Sequence, residues 1–465
     1  MSVRQTTRRT RSAAALAAGL GVLVAVSGCA SQEQAGVGGG GENTAGAEAA
    51  ESEIDCTQFE QFGDTDGAEV EVYTTIVDPE SQSFIDAFGP FTECTGIEIN
   101  YNGSRQFEAQ LPVRVQSGNA PDIAFLPQPG LLAQMVSTGA VVEPPQAVVD
   151  NVDQYFSEDW KNYGTVDGTF YAAPLGANVK SFVWYSPSAF EEAGYEIPTT
   201  WDELMTLSDT IAATGVKPWC AGIASGEATG WPATDFLEDV VLHAQGPDVY
   251  DQWINHEIPF NDPAIAESLA QVGTVLKNDE YVNGGLGDVR SVASTEFQAA
   301  GLPILDGTCF MHRQASFYQA NWPAGTDVSE DGDVFAFPFP TINEEVGNAV
   351  VGGGEFVAAF NEEPATQAVQ YWLSTADWAN LKAQASNPGW LNANLELDPA
   401  NLKSPIDQLA VEQLQDPEVT FRFDASDLMP AQVGADAEWQ QLTDWIAADQ
   451  SDEDTLNNIE AAWPQ

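Results

Sequence analysis

The sequence predicts an α/β protein built as two lobes joined by a hinge, with a cleft between them, and three observations lead there. From Glu69 to the C-terminus, stretches of strand character alternate with stretches of helical period, the pattern of βα units whose strands lie mostly parallel. Two stretches punctuated by proline, Pro174 to Pro187, uncharged on both sides of Asn178 and Lys180, and the uncharged Val334 to Pro340, fall where a chain would cross between lobes and return. No internal repeat is present, so 465 residues fill large lobes and not an array.

In chain order, Arg4, Arg8, Arg9 and Arg11 precede the apolar run Ala13 to Val26, which is too short and too weakly flanked to span a bilayer and has the form of an export signal. It closes on Val26-Ser-Gly-Cys29, which resembles the lipobox of bacterial lipoproteins: small residues admit the peptidase and Cys29 offers the thiol to be lipidated. Residues 1–28 are expected to be a lipoprotein signal peptide; the alternative is a plain cleaved signal with an incidental Cys29. Residues 29–54, rich in Gly, Ala, Glu and Gln, bury too little to order themselves and form a flexible tether.

Val70 to Thr75 then reads as a strand, Ser81 to Thr92 as a helix with Phe84, Phe88 and Phe91 on one face, and Ile97 to Tyr101 and Asp122 to Leu126 as strands. Val179 to Tyr185 reads as a strand after the Pro174-Leu-Gly-Ala break, and Ser186-Pro187 opens a helix. Thr200 and Glu203 make a capping box for the helix to Ala213. Pro218 to Ile223, Trp231 to Ala244, Pro263 to Asn278 and Val289 to Ala300 continue the alternation. Prolines bar Val334 to Pro340 from a central strand, and Gly352 to Ala359 is a strand entered through a glycine loop. Helices at Pro364 to Ser374 and finally Glu453 to Ala462 close the chain. One lobe is expected at 55–177 and 341–375, the other at 178–340 and 376–465, with the hinge near 174–182 and 334–341.

Charge is the compositional anomaly: 15 Lys plus Arg stand against 70 Asp plus Glu, a net −55. Beyond Gly28 the balance is 11 bases against 70 acids, or −59. Such self-repulsion disfavours a compact state unless salt screens it, and in roughly 1 M salt the Debye length is about 3 Å. A salt-tolerant exterior follows, to be checked by a melting temperature that rises from low to molar salt. Nucleic acid and anionic membrane surfaces are disfavoured as partners. Besides Cys29 there are Cys56, Cys94, Cys220 and Cys309, an even count that suggests two bridges in an exported chain. Of three connectivities, the expected one pairs Cys56 with Cys94 and Cys220 with Cys309, one bridge per lobe.

Several collinear motifs carry a resemblance. Gly118-Asn-Ala-Pro-Asp-Ile123, Phe182-Val-Trp-Tyr-Ser-Pro-Ser-Ala-Phe190, Pro198-Thr-Thr-Trp-Asp-Glu-Leu204 and Gly352-Gly-Gly-Glu355 resemble the solute-binding proteins of carbohydrate ABC importers, the maltose-binding family. Ala228-Thr-Gly-Trp-Pro-Ala-Thr-Asp235, Asn255-His-Glu-Ile-Pro-Phe260, Cys309-Phe-Met-His-Arg-Gln-Ala-Ser316 and Phe421-Arg-Phe-Asp424 are similar to its alpha-glucoside-binding branch. The resemblance implies a periplasmic-binding-protein type II fold, a sugar between two lobes, and closure that signals to permease subunits with a cytoplasmic ATPase. It implies a monomer on the extracellular face of the membrane, held by its lipid alone. It maps ligand contacts to Phe125 to Gln128, Asn178, Lys180, Trp231, His312, Arg313, Gln314 and the aromatic Trp390. Leu126-Pro-Gln-Pro129 lacks the charged pair of maltose binders, which leaves the sugar open.

The residues carry their own argument. A sugar shows apolar C–H faces and a ring of hydroxyls, so its site needs flat rings together with polar groups. Trp231, before Pro232 at a helix start, is a candidate plate, the alternative being a core anchor for that helix; Trp184, Trp322 and Trp390 are weaker candidates. In so acidic a chain, retained cations are informative: Arg105, Arg313, Arg422 and above all Lys180 are ligand-facing or else buried ion pairs. Glu355 and Asp424, each closing one of the quoted motifs, complete the candidate set. No enzymatic constellation stands out. Among 70 acids, chance carboxylate pairs say nothing about a glycosidase. His243, His256 and His312 have no second ligand at helical spacing, and no nucleophile elbow or complete dinucleotide fingerprint is present. Asp327-x-Ser-x-Asp-Gly332 begins like a calcium loop but reaches Pro338 at position twelve, so neither metal nor cofactor is expected. An exported glycan-cleaving hydrolase, or a binder of a non-sugar solute, is the alternative.

Overall fold

The computed structural model describes residues 54–283, 287–384, 389–416 and 418–464. The signal, Cys29 and nearly all of the tether lie outside the described residues. Three principal sheets organise the rest. The first lobe is built on five strands in the order Glu98–Gly103, Glu69–Thr74, Ile123–Leu126, Phe356–Ala359, Ala172–Pro174. The second carries a four-stranded sheet, Phe335–Pro338, Phe182–Tyr185, Cys309–Arg313, Lys217–Trp219, and a three-stranded one, Thr420–Phe423, Ala349–Gly353, Asn178–Val179.

Alternation explains why the first sheet sits in the middle of its lobe. Ile123 and Phe125 face one core with Val72, Phe84 and Phe91, while Ala124 and Leu126 face the other with Tyr73, Phe107 and Leu111. A strand apolar at every position is buried on both sides. The sheets are mixed, however, and not mostly parallel. Glu69–Thr74 pairs parallel with both neighbours, but Phe356–Ala359 runs antiparallel because the chain re-enters that lobe from the other one. The expected helix from Ser81 is two helices, Ser81–Ala87 and Gly89–Thr95, divided just before Pro90, which supplies no amide to the preceding turn. Phe84, Phe88 and Phe91 are nonetheless all buried on one side. The capping box at Thr200 and Glu203 is formed.

Crossing points differ from expectation in one instructive way. The outward crossing runs through Pro174 to Phe182, and the strand expected there is split: Asn178–Val179 pairs in one sheet and Phe182–Tyr185 in another. At the split the Lys180 amide donates to Val351 O (2.8 Å) and Ser181 Oγ accepts from the Val351 amide (2.8 Å). The return does not occur at 334–341. Phe335–Pro338 is the edge strand of the four-stranded sheet, where proline is tolerated, and the Phe339 amide donates to Ser181 O (2.8 Å). The chain returns between Gly353 and Phe356, so Gly352 to Ala359 serves two sheets, not one. There the crossings touch through backbone: a Cβ on Gly354 would lie 2.2 Å from Gly176 O. Helix Ala376–Ala383, expected in the second lobe, packs on the first, with Trp378 against Phe88 at 5.1 Å and Trp372 at 6.1 Å. Cys56 pairs with Cys94 in the first lobe and Cys220 with Cys309 in the second.

Candidate functional site

The segments that follow the carboxyl ends of the three parallel strands of the first lobe, contributing Thr75 to Val77 with Glu80, Arg105 with Glu108 from the first turn of helix Phe107–Gln116, and Pro127 with Gln128, converge on one cavity. Strand carboxyl ends are where open α/β sheets leave a crevice. The second lobe supplies the facing wall, including the start of helix Trp231–Gln245, Phe297, Phe317, Trp439 and the turn from Asp424 to Asp427. The crossings close the back with Asn178, Lys180 and Glu355. Water-sized molecules can move their centres through about 150 Å³ of this space.

Rings and unpaired polar atoms alternate around it. The Trp231 ring stands edge-on to Phe297 (4.9 Å between centroids) and tilts against Phe317 (6.1 Å), while Phe84 and Trp390 meet edge to face at 5.9 Å on the other wall. Glu108 Oε2, Gln128 Oε1, Asn178 Oδ1, Gln298 Oε1, Trp390 Nε1 and Trp439 Nε1 are buried with no hydrogen-bond partner among the described residues. An unsatisfied buried polar atom costs about 1–3 kcal/mol, so such a set in one cavity favours a ligand rich in hydroxyls. Burial pushes the carboxyls of Glu80, Glu108 and Glu355 up to about 7.

An ion-pair network runs through the second-lobe wall and back from it. Lys180 Nζ contacts Asp424 and donates to Asp235 Oδ1 (3.1 Å), with Asp427 at 3.8 Å. Burial alone would lower the lysine, but Asp235, Asp424, Asp427 and Glu238 hold it well above its ordinary value. Arg313 binds Asp239 (2.5 Å) and Asp235 (3.1 Å), and Ser181 donates to Asp239. Asp424 in turn caps the helix at Ala425, accepting from the Asp427 amide at 2.7 Å.

Of the residues expected to face a ligand, Arg105, Gln128, Asn178, Lys180, Trp231, Glu355, Trp390 and Asp424 line the cavity. Phe125, His312, Arg313 and Gln314 do not. Phe125 is core, because strand alternation turns it inward two residues before the loop. Strand Cys309–Arg313 is interior to its sheet: His312 Nδ1 engages Cys220 O (2.9 Å), burial lowers that imidazole to about 4, and Gln314 Oε1 accepts from the Ala315 amide. Arg313 reaches helix Trp231–Gln245 and steadies Asp235 from behind. Trp184 and Trp322 are core rings, the first donating to Gln314 O at 3.0 Å. Arg422 is paired with Asp251, and Arg105 with Glu296 across the cleft at 2.9 Å. Glu80, Phe84, Glu108, Phe317, Lys382 and Asp427 were not anticipated; only Lys382 carried a signal, the scarcity of cations.

The profile of the family described as bacterial extracellular solute-binding protein matches residues 74–375. The osmoprotective compounds-binding protein GgtB of Synechocystis sp. is 37% identical over 410 residues, covering 87% of this chain and 94% of that one. The alpha-glucosides-binding periplasmic protein AglE of Rhizobium meliloti is 35% identical over 426 residues, covering 87% and 89%. Among solved structures, a maltose-bound T. maritima MalE3 superposes with a TM-score of 0.67 at 17% identity, covering 85% of this chain and 98% of that one, a likeness of fold.

Proposed function

This chain belongs to the bacterial extracellular solute-binding protein family, and from that premise we propose that it is the substrate-binding lipoprotein of an ABC sugar importer, which captures an alpha-glucoside or related oligosaccharide by closing its lobes. The carrying observation is one cavity at the strand carboxyl ends, walled by both lobes, in which aromatic rings alternate with unpaired polar atoms. The names of GgtB and AglE support alpha-glucosides and osmoprotective compounds as the ligand class, and the −59 charge beyond Gly28 suits a protein working in salt. Each lobe holds half of the contacts, so sugar favours the closed arrangement by bonds absent from an open one. Arg105 with Glu296, and Asn321 with Glu80 Oε1 (3.2 Å), already join the two sides of the cleft. The permease and its ATPase read the closed shape, and Cys29, lipidated after cleavage, tethers a monomer outside the cell. The chain binds and does not transform its ligand.

For a disaccharide of about 23 heavy atoms at roughly −0.3 kcal/mol each, affinity comes to about 10 μM. Calorimetric titration with maltose, trehalose, sucrose and glycine betaine tests the reading. Binding of a glucoside in the micromolar range is expected. Heat with betaine alone moves the protein to non-sugar solutes, and steady release of phenol from an aryl glucoside makes it a hydrolase. Labelled palmitate should enter the wild type in cells and not Cys29→Ser.

A further inference from the structure

Lys180, Arg313 and Lys382 are the buried cations among the described residues, and the first two are held in ion pairs. Lys382 is not. No acceptor among the described residues lies within hydrogen-bond or ion-pair distance of its Nζ, which instead stands 4.3 Å from the Phe84 ring centroid and 4.6 Å from that of Trp390. The residue is only 2% exposed, yet it lines the cavity. An ammonium that rests on two rings and faces the cavity has no acceptor among the described residues, and a largely buried charge without protein hydrogen bonds is what folding selects against unless something else employs it.

What surrounds it defines that use. Glu80 and Glu355 share the cavity wall, and Asp407, bonded to Gln319 Nε2 at 2.8 Å, lies behind. Glu355 and Trp390 Nε1, which has no hydrogen-bond partner among the described residues, flank a bare backbone position: a Cβ on Gly176 would fall 2.2 Å from Glu355 Oε2 and 2.7 Å from Trp390 Nε1. Donors and acceptors thus converge around a space that glycine keeps open. Burial lowers the Lys382 ammonium to about 7 against the pull of Asp407, Glu355 and Glu80, in keeping with a charge those carboxylates only partly compensate.

Resting on the sugar-binding reading above, we propose that Lys382 is a specificity-determining residue of the first-lobe half of the site, donating to two neighbouring hydroxyls of a neutral sugar ring while Glu355 and Glu80 accept hydrogen bonds from those hydroxyls. A hydroxyl gives one hydrogen bond and takes others, so it satisfies ammonium, indole N–H and carboxylate together. An anionic substituent meets the carboxyls of Glu80 and Glu355 there, and a cationic one meets the ammonium.

The test compares Lys382→Met with wild type at pH 6.5, using the glucoside that titrates best. Methionine keeps an apolar stem against the two rings and removes the donors. At least tenfold weaker binding is expected, with a sugar-free melting temperature equal to or above that of wild type. Binding within threefold of wild type overturns the proposal while leaving the importer reading intact. So does weaker binding accompanied by a melting temperature several degrees lower, which makes the lysine a structural support. If wild type binds no sugar of the panel, the importer reading itself fails, and the proposal with it, a result no lysine variant can mimic.

Discussion

Lys180 and Lys382 line the same cavity, and their surroundings could hardly differ more. Lys180 reaches Asp235 and Asp424 with Asp427 near, and these carboxylates keep it charged well above its ordinary range. Lys382 lies on two aromatic rings, and burial brings it down to about 7. In the first place the protein compensates the charge it buries; in the second it leaves the compensation incomplete. The difference separates a group that holds the wall together from one whose bonding capacity is kept for something else.

The largest effect that could break this comparison is on stability. Lys180→Met strands Asp235 and Asp424 in the interior, and removing one partner of a buried pair costs about 3–5 kcal/mol. The urea midpoint should fall accordingly, and if it falls no more than that of Lys382→Met the distinction is lost. Next comes pH. Glu355 has a folded pKa of about 7 against an ordinary 4.5, so the fold favours its protonated form. That contribution is complete below pH 4.5 and disappears as pH rises through 7, a loss of about 3 kcal/mol at 1.36 kcal/mol per pH unit. Glu355→Gln should therefore stabilise the sugar-free protein at pH 8, leave it unchanged at pH 4, and weaken sugar binding at both. Lys382 runs the other way: its fold favours the free amine, a contribution complete above pH 10.5 and lost as pH falls through 7.

A smaller change sharpens the comparison on the binding side. The Trp231 ring centroid lies 5.8 Å from Lys180 Nζ, and both residues line the cavity. Trp231→Ala should weaken glucoside binding at least tenfold, about 1.4 kcal/mol; unchanged affinity assigns the ring to packing with Phe297 and Phe317. The smallest effect belongs to Arg105. Its pair with Glu296 is exposed and worth about 0–1 kcal/mol, so Arg105→Ala should alter affinity by no more than a few-fold, and only in low salt.

How much of this could be read in advance follows the physics of each signal. The outward crossing was legible because a strand carrying Asn178 and Lys180 between prolines, with no charge on either side, has no place on a surface. The return was not, since proline marks an edge strand as readily as a linker, whereas the actual crossing is marked by Gly352-Gly-Gly, whose message is backbone contact. Scarcity of cations singled out Lys180 and Arg313 but could not say which would be paired. Lys382 escaped because Ala376–Ala383 is a short helix with a weakly amphipathic pattern, and its burial comes from Phe84, distant in sequence. Glu80 and Glu108 were invisible among 70 acids.

Gly354 and Gly176 meet with nothing but main chain between them, and a single methyl on the former would sit 2.2 Å from a carbonyl where ordinary contact begins at 3.4 Å. On the closure proposed above, this crossing is the pivot, a bearing without a sleeve. Any substituent there acts as a shim near the axis, and a shim of an ångström at the axis becomes a gap of several at the rim, where the two lips of the cleft must meet.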